Sequence, residues 1–127
     1  MIIIKKIFTH FNMAKVLLIQ PHHDIRENKV AEEPWTPLSL IYVGTAIEDK
    51  HQVKIFNREI NINDKDLLTY IKKFNPDIIG FTSMTSLMLI DLIKVAKLIK
   101  KKFSKKLIVV GGIHATIDPK SFLNESY

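Results

Sequence analysis

The chain has 127 residues, 46% of them hydrophobic and 25% charged, with 19 basic against 13 acidic side chains and a formal net charge of +6. That length and apolar fraction predict one globular domain and exclude a disordered chain. Cysteine is absent, which removes disulfides, zinc thiolates, iron–sulfur ligation and thiol nucleophiles from this polypeptide. No apolar run reaches the roughly 18–20 residues that a bilayer-spanning helix needs. The opening Met1-Ile2-Ile3-Ile4-Lys5-Lys6 is too short in its apolar part for a signal peptide, so the expected location is cytoplasmic. Much of the positive charge falls on Lys94, Lys97, Lys100, Lys101, Lys102, Lys105 and Lys106. These fit the solvated face and tail of one helix, so no nucleic-acid partner is expected.

In chain order, residues 1–13 read as a loose N-terminal extension and 14–127 as the domain, with Met13 a candidate start. Val16-Leu17-Leu18-Ile19 is the first strand. A polar loop follows from Gln20 to Thr36, carrying His22, His23, Asp24 and Arg26; connections of this length in compact domains are usually functional or disordered. Pro37 suits the first turn of a helix running to about Asp49, with Leu38, Ile41, Tyr42, Thr45 and Ala46 as its expected inward stripe. Val53-Lys54-Ile55-Phe56 is a second strand. Asp64 is the expected N-cap of a helix over 65–74, which Asn75-Pro76 ends.

Asp77-Ile78-Ile79-Gly80-Phe81 is apolar enough to be a strand buried on both faces. A helix from about Ser86 to Phe103 places Leu89, Leu92, Val95, Ala96, Ile99 and Phe103 on one side. Leu107-Ile108-Val109-Val110 is the fourth strand, closed by Gly111-Gly112, and Pro119 opens a last helix. The alternation predicts an α/β doubly wound parallel sheet with helices on both faces. A fifth strand is expected to be missing, leaving the domain incomplete at its C-terminus.

Ligands of such sheets bind beyond the carboxyl ends of the strands. That directs attention to the loop after Ile19, to Thr82-Ser83-Met84-Thr85-Ser86, and to Gly111-Gly112-Ile113-His114-Ala115-Thr116. Neither GxxxxGK[ST] nor GxGxxG is present, which disfavours nucleotides. The acidic pocket of a phospho-acceptor receiver and the hydroxyl-rich loop of a flavodoxin are absent too. On spacing alone, Gly111-Gly112 is a tight turn or a close backbone approach to a ligand. Ser83, Thr85 and Ser86 are helix caps or groove-lining hydroxyls.

Several segments together resemble a known family. They are Lys15-Val16-Leu17-Leu18-Ile19-Gln20-Pro21, Trp35-Thr36-Pro37-Leu38-Ser39-Leu40-Ile41-Tyr42, Val53-Lys54-Ile55-Phe56-Asn57, Asn75-Pro76-Asp77-Ile78-Ile79-Gly80-Phe81-Thr82-Ser83-Met84-Thr85 and Val109-Val110-Gly111-Gly112-Ile113-His114-Ala115-Thr116. In this order they look like the amino-terminal cobalamin-binding domain of B12-dependent radical SAM proteins, of the anaerobic Mg-protoporphyrin monomethyl ester cyclase type. The resemblance implies a flavodoxin-like, Rossmann-like sheet of order 2-1-3-4-5, with cobalamin over its carboxyl edge. The nucleotide tail would thread between the third and fourth strand ends. By position, Ser83, Met84 and Thr85 would line that groove, Gly111 and Gly112 would admit the tail, and His114 and Thr116 would be polar neighbours.

The methionine-synthase type of cobalamin domain carries Asp-x-His-x-x-Gly after its first strand. Here Pro21 stands in place of the Asp and Arg26 in place of the Gly. The acceptor that would orient His23 is therefore missing from its usual place. His23 reads as a polar loop residue, with cobalt axial ligation its minor alternative. Trp35 either roofs the corrin or packs as a staple on the helix it precedes. Without cysteine the chain carries no radical SAM cluster, so no independent activity is expected. The catalytic domain would lie on another chain or have been lost by truncation. The competing expectation is a doubly wound remnant or protein-interaction domain that binds no corrinoid, its sheet edge open to a partner.

Overall fold

The structure is a computed structural model and describes residues 13–23, 32–84 and 87–123, with the backbone alone for Leu123. The extension ahead of Met13, and Asp24, Arg26, Thr85 and Ser86, lie outside the described residues. The elements are β1 (Lys15–Gln20), α1 (Leu38–Ile47), β2 (Gln52–Asn57), α2 (Asp64–Phe74), β3 (Ile78–Thr82), α3 (Leu87–Lys102), β4 (Leu107–Gly111), α4 (Ile113–Ile117) and α5 (Lys120–Leu123). The strands form a parallel sheet of order β2-β1-β3-β4, as the alternating pattern predicts. β1 and β3 are buried along nearly their whole length, while β2 and β4 at the edges are half exposed. That difference is why the central strands carry unbroken apolar runs.

Strand alternation divides the core between the two faces of the sheet. Leu17, Ile19, Ile79 and Phe81 point to one side, where they meet Leu67 and Ile71 of α2, Leu92, Val95, Ala96 and Ile99 of α3, and Phe122 of α5. Val16 and Leu18 point to the other and pack under Leu40 of α1, with Val43, Ile47 and Val53 around them. Each fully buried Leu or Ile contributes about 1.5–3 kcal/mol over its exposed state, so the two apolar faces supply the main driving force for this fold.

Three expectations are corrected. The inward stripe of α1 is Leu40, Val43, Gly44 and Ile47, whereas Leu38, Ile41, Tyr42, Thr45 and Ala46 face outward. The segment is apolar on nearly every side, so periodicity alone does not choose its face. Gly44 does: a Cβ there would stand 3.4 Å from Val53 Cγ1 and 3.7 Å from Leu18 Cδ1, so the helix lies close to the sheet along that line. The N-cap of α2 is Asn63, whose side chain accepts from the backbone N–H of Lys65 and Asp66. Asp64 is the first helical residue and pairs instead with Arg58 and Lys94, at 3.0 Å each. Finally, the short α4 precedes the helix that follows Pro119, where the sequence pattern shows only turn residues.

Asn75 ends α2 in the left-handed conformation, at φ 51°, a position that Asn tolerates better than most residues. The inward residues expected for α3 are buried or half-buried. Among them stands one that the apolar pattern does not announce, Asp91, which is fully buried.

Candidate functional site

In the order β2-β1-β3-β4 the chain leaves β1 in one direction for β2 and returns on the other side for β3. The crevice at that reversal is the favoured ligand position in an open parallel sheet. Here it is a groove of about 150 Å³ on the α1 face of the sheet. Its floor is Val16 and Leu18 of β1, Ile78 and Gly80 of β3, and Val109 of β4, and its wall is Leu40 and Val43 of α1. Polar groups gather at the carboxyl end, where Ser39, Thr82, Gly111 and Gly112 line the mouth. Ser39 Oγ and Thr82 Oγ1 lie 3.4 Å apart there. A volume of this size is enough to accept an aromatic ring. Gly80 keeps the floor low, since a Cβ there would come within 2.9 Å of Leu18 Cδ2.

The two glycines after β4 have different tasks. Gly112 has φ +96° and ψ −178°, a region essentially reserved for glycine. Its Cα lies against Ser83, and a Cβ would overlap the Ser83 carbonyl. Gly111 has open space on its Cβ side, the nearest atom being Phe81 O at 4.0 Å. Ser83 is fully buried and joins the two strand ends. Its Oγ donates to Gly111 O at 2.7 Å and accepts from Ala115 N at 3.2 Å, while its backbone N–H donates to Gly111 O at 2.8 Å.

The remaining expected site residues fall into two groups. Met84 is exposed at the same edge. His114 and Thr116 serve the α4 turn: His114 Nε2 is 3.1 Å from Ser121 Oγ, its ring meets Phe122 edge-on, and Thr116 Oγ1 donates to Gly112 O at 3.0 Å. Thr85 lies outside the described residues.

A second cluster occupies the β1–β2 half of the edge. Arg58 follows β2 and is 1% exposed; its guanidinium grips Asp91 in two-point fashion, Nε to Oδ2 at 2.7 Å and Nη2 to Oδ1 at 2.9 Å. The same Asp91 Oδ2 accepts from the backbone N–H of His22 at 2.8 Å. Glu59, fully buried, accepts from the backbone N–H of His23 through Oε1 and contacts His23 Nδ1 through Oε2, both at 2.6 Å. The His23 ring is stacked with His22 at 5.1 Å and 14°, and with Trp35 at 5.2 Å and 9°. Trp35 thus packs on the His23 ring and remains half exposed. His22, His23 and Glu59 bring potential metal-donor atoms within 4.8 Å of one another.

Sequence reasoning missed Arg58, Glu59 and Asp91. A carboxylate within the apolar stripe of α3, and charged residues directly after a strand at the carboxyl edge, were the available signals. The acceptor absent from position 21 is provided by Glu59, from the turn after β2.

Fold and groove together define a doubly wound domain with a candidate ligand groove at the carboxyl edge, apolar within and polar at the mouth. The chain belongs to the B12 binding domain family, which matches residues 28–126. It is 34% identical over 112 residues to an uncharacterized methyltransferase, PH0819, of Pyrococcus horikoshii, covering 87% of this chain and 24% of that protein's length. The fold is similar to that of the cobalamin-dependent S-adenosylmethionine radical enzyme OxsB solved with aqua-cobalamin and S-adenosylmethionine, at TM-score 0.72 and 18% identity over 93% of this chain and 16% of that one. It is also similar to a cobalamin-binding protein from Desulfitobacterium hafniense DCB-2, at TM-score 0.56 and 19% identity over 87% and 49% of the two chains. No helix among the described residues is long and apolar enough to cross a membrane.

Proposed function

We propose that this chain binds cobalamin and serves as the cobalamin module of a B12-dependent radical SAM system, the anaerobic cyclase type being the one its motifs resemble. The observation that carries this reading is the groove at the β1–β3 reversal. Its floor suits the aromatic base of a nucleotide tail, and its hydroxyl- and glycine-lined mouth suits the sugar-phosphate part. Val16, Leu18, Leu40, Val43 and Val109 offer the base apolar contact. Thr82 and Ser39 offer hydroxyls at the mouth, and Gly111 leaves space for the tail to approach the backbone. Ser83, Gly112, His114 and Thr116 hold the β3 and β4 ends in register with α4. When bound, cobalamin supplies a cobalt centre that carries a methyl group or supports radical chemistry elsewhere.

The radical SAM chemistry belongs to another domain or chain, because no cysteine is present here to bind its cluster. Leu38, Ile41 and Tyr42 leave an apolar face of α1 exposed, which supports a docked catalytic domain over a solitary module.

The test is gel filtration of the chain with aquacobalamin. Co-elution at one corrinoid per chain is expected for the wild type, and loss of it for Gly111→Phe, which fills the groove mouth. A wild-type chain that elutes without corrinoid leaves the alternative, an interaction domain that binds none.

A further inference from the structure

Two consecutive backbone N–H groups in the loop after β1 are each held by a buried carboxylate. That of His22 donates to Asp91 Oδ2 at 2.8 Å, and that of His23 to Glu59 Oε1 at 2.6 Å. Asp91 and Glu59 are both fully buried, so charge-assisted bonds fix the backbone of both histidines before any ligand arrives. With Oε1 committed to that backbone, Glu59 places Oε2 at 2.6 Å from His23 Nδ1. The two imidazoles lie 5.1 Å apart. One donor atom from each of His22, His23 and Glu59 falls within 4.8 Å of the others.

The charges point the same way. Arg58 is committed to Asp91 and Asp64, and Lys94 to Asp64. Among the described residues of this cluster, two cations therefore face three carboxylates, and the carboxylate left over is Glu59. Its side chain is wholly out of water, a costly place for a charge that no cation answers.

We infer that His22, His23 and Glu59 form a site for a divalent cation of the zinc class. None of the three lines the groove assigned to cobalamin, and the inference does not rest on that reading. Two imidazole nitrogens and one carboxylate oxygen suit such a cation better than Mg2+ or Ca2+. Bonds of about 2.0–2.2 Å place tetrahedral donors about 3.3 Å apart, so the cluster closes by roughly 1.5 Å on binding. The cation takes the place of the proton between His23 Nδ1 and Glu59 Oε2, that proton leaves to water, and a water molecule fills the fourth position. The bound ion ties the loop after β1 to the turn after β2.

The experiment is a Zn2+ titration of the full chain, stripped of metal and free of corrinoid, followed by calorimetry and by the ring nitrogens of 15N-labelled histidine. Saturation at one ion per chain is expected, with shifts for His22 and His23 and none for His51 or His114. His22→Ala, His23→Ala and Glu59→Gln should each weaken binding at least about 10-fold, the loss seen on removing even a group that only orients a ligand. Mg2+ in equal amount should not compete. The wild-type nitrogen shifts stand as a test even where a substitution unfolds the chain. Titration without saturation at one ion overturns the inference, and so do shifts that leave out either His22 or His23. Binding that survives any of the three substitutions, or that Mg2+ displaces, overturns it too. With no corrinoid present, failure here leaves the cobalamin reading untouched, and a chain that retains Zn2+ but not aquacobalamin fails that reading alone.

Discussion

Gly112 sits directly against the backbone of Ser83, so that a Cβ on Gly112 would lie 2.7 Å from Ser83 N and overlap the Ser83 carbonyl. The contact couples the end of β3 to the turn after β4, and Ser83 Oγ seals it by donating to Gly111 O. The two adjacent glycines should therefore respond differently to substitution. Gly112→Ala combines a forbidden backbone conformation with a steric overlap, and should destabilise the chain by at least the roughly 1–3 kcal/mol typical of such strain. Gly111→Ala should leave the denaturation midpoint nearly unchanged, since its Cβ side is open. Urea melts of the two variants check this, and equal losses would contradict the assignment of separate tasks.

Asp91 joins three segments that are far apart in sequence: α3, the residue after β2 and the loop after β1. It accepts two hydrogen bonds from Arg58 and one from His22. Removing one partner of a buried pair leaves an uncompensated charge, so Asp91→Ala should cost about 3–5 kcal/mol. The double variant Arg58→Met, Asp91→Leu should cost less than the sum of the two single changes, because neither charge is then stranded. A thermodynamic cycle from denaturant titrations gives the coupling directly. Simple additivity would show that the pair does not interact in solution.

The corrected face of α1 yields a third expectation. Leu40→Ala removes a buried side chain and should cost about 2–5 kcal/mol. Tyr42→Ser, at a position 77% exposed, should change stability by roughly 0.5 kcal/mol or less. The reverse ranking in thermal melts would restore the stripe through Leu38, Ile41 and Tyr42 as the inward one.

How far the sequence reveals this molecule depends on whether a feature is local. Strands such as Leu107–Val110 and the helix over Lys65–Phe74 announce themselves through unbroken β-branched runs or a clear apolar period. Parallel order follows from their alternation. The face of α1 is not legible, because Leu38-Ser39-Leu40-Ile41-Tyr42-Val43 is apolar whichever way it turns. Asn63 and Asp64 are both good N-caps, and what separates them is tertiary: Asp64 pairs with Arg58 and Lys94, while Asn63 caps Lys65 and Asp66. The carboxyl edge and its glycine pair are readable from spacing, and the structure brings Ser83, Gly111 and Gly112 together there. The Glu59–His23 and Arg58–Asp91 contacts are not readable, since the first arises only when β1 and β2 have paired and the second only when α3 has packed against the end of β2.

Cobalamin binding in the edge groove is tested by amide chemical shifts during an aquacobalamin titration. Saturating shifts at one equivalent are expected for Thr82, Gly111 and Gly112 at the mouth and for Leu18 and Gly80 on the floor. The amides of Lys97 and Lys101, on the exposed face of α3, should stay in place. Shifts confined to that lysine face, or none that saturate, would contradict it.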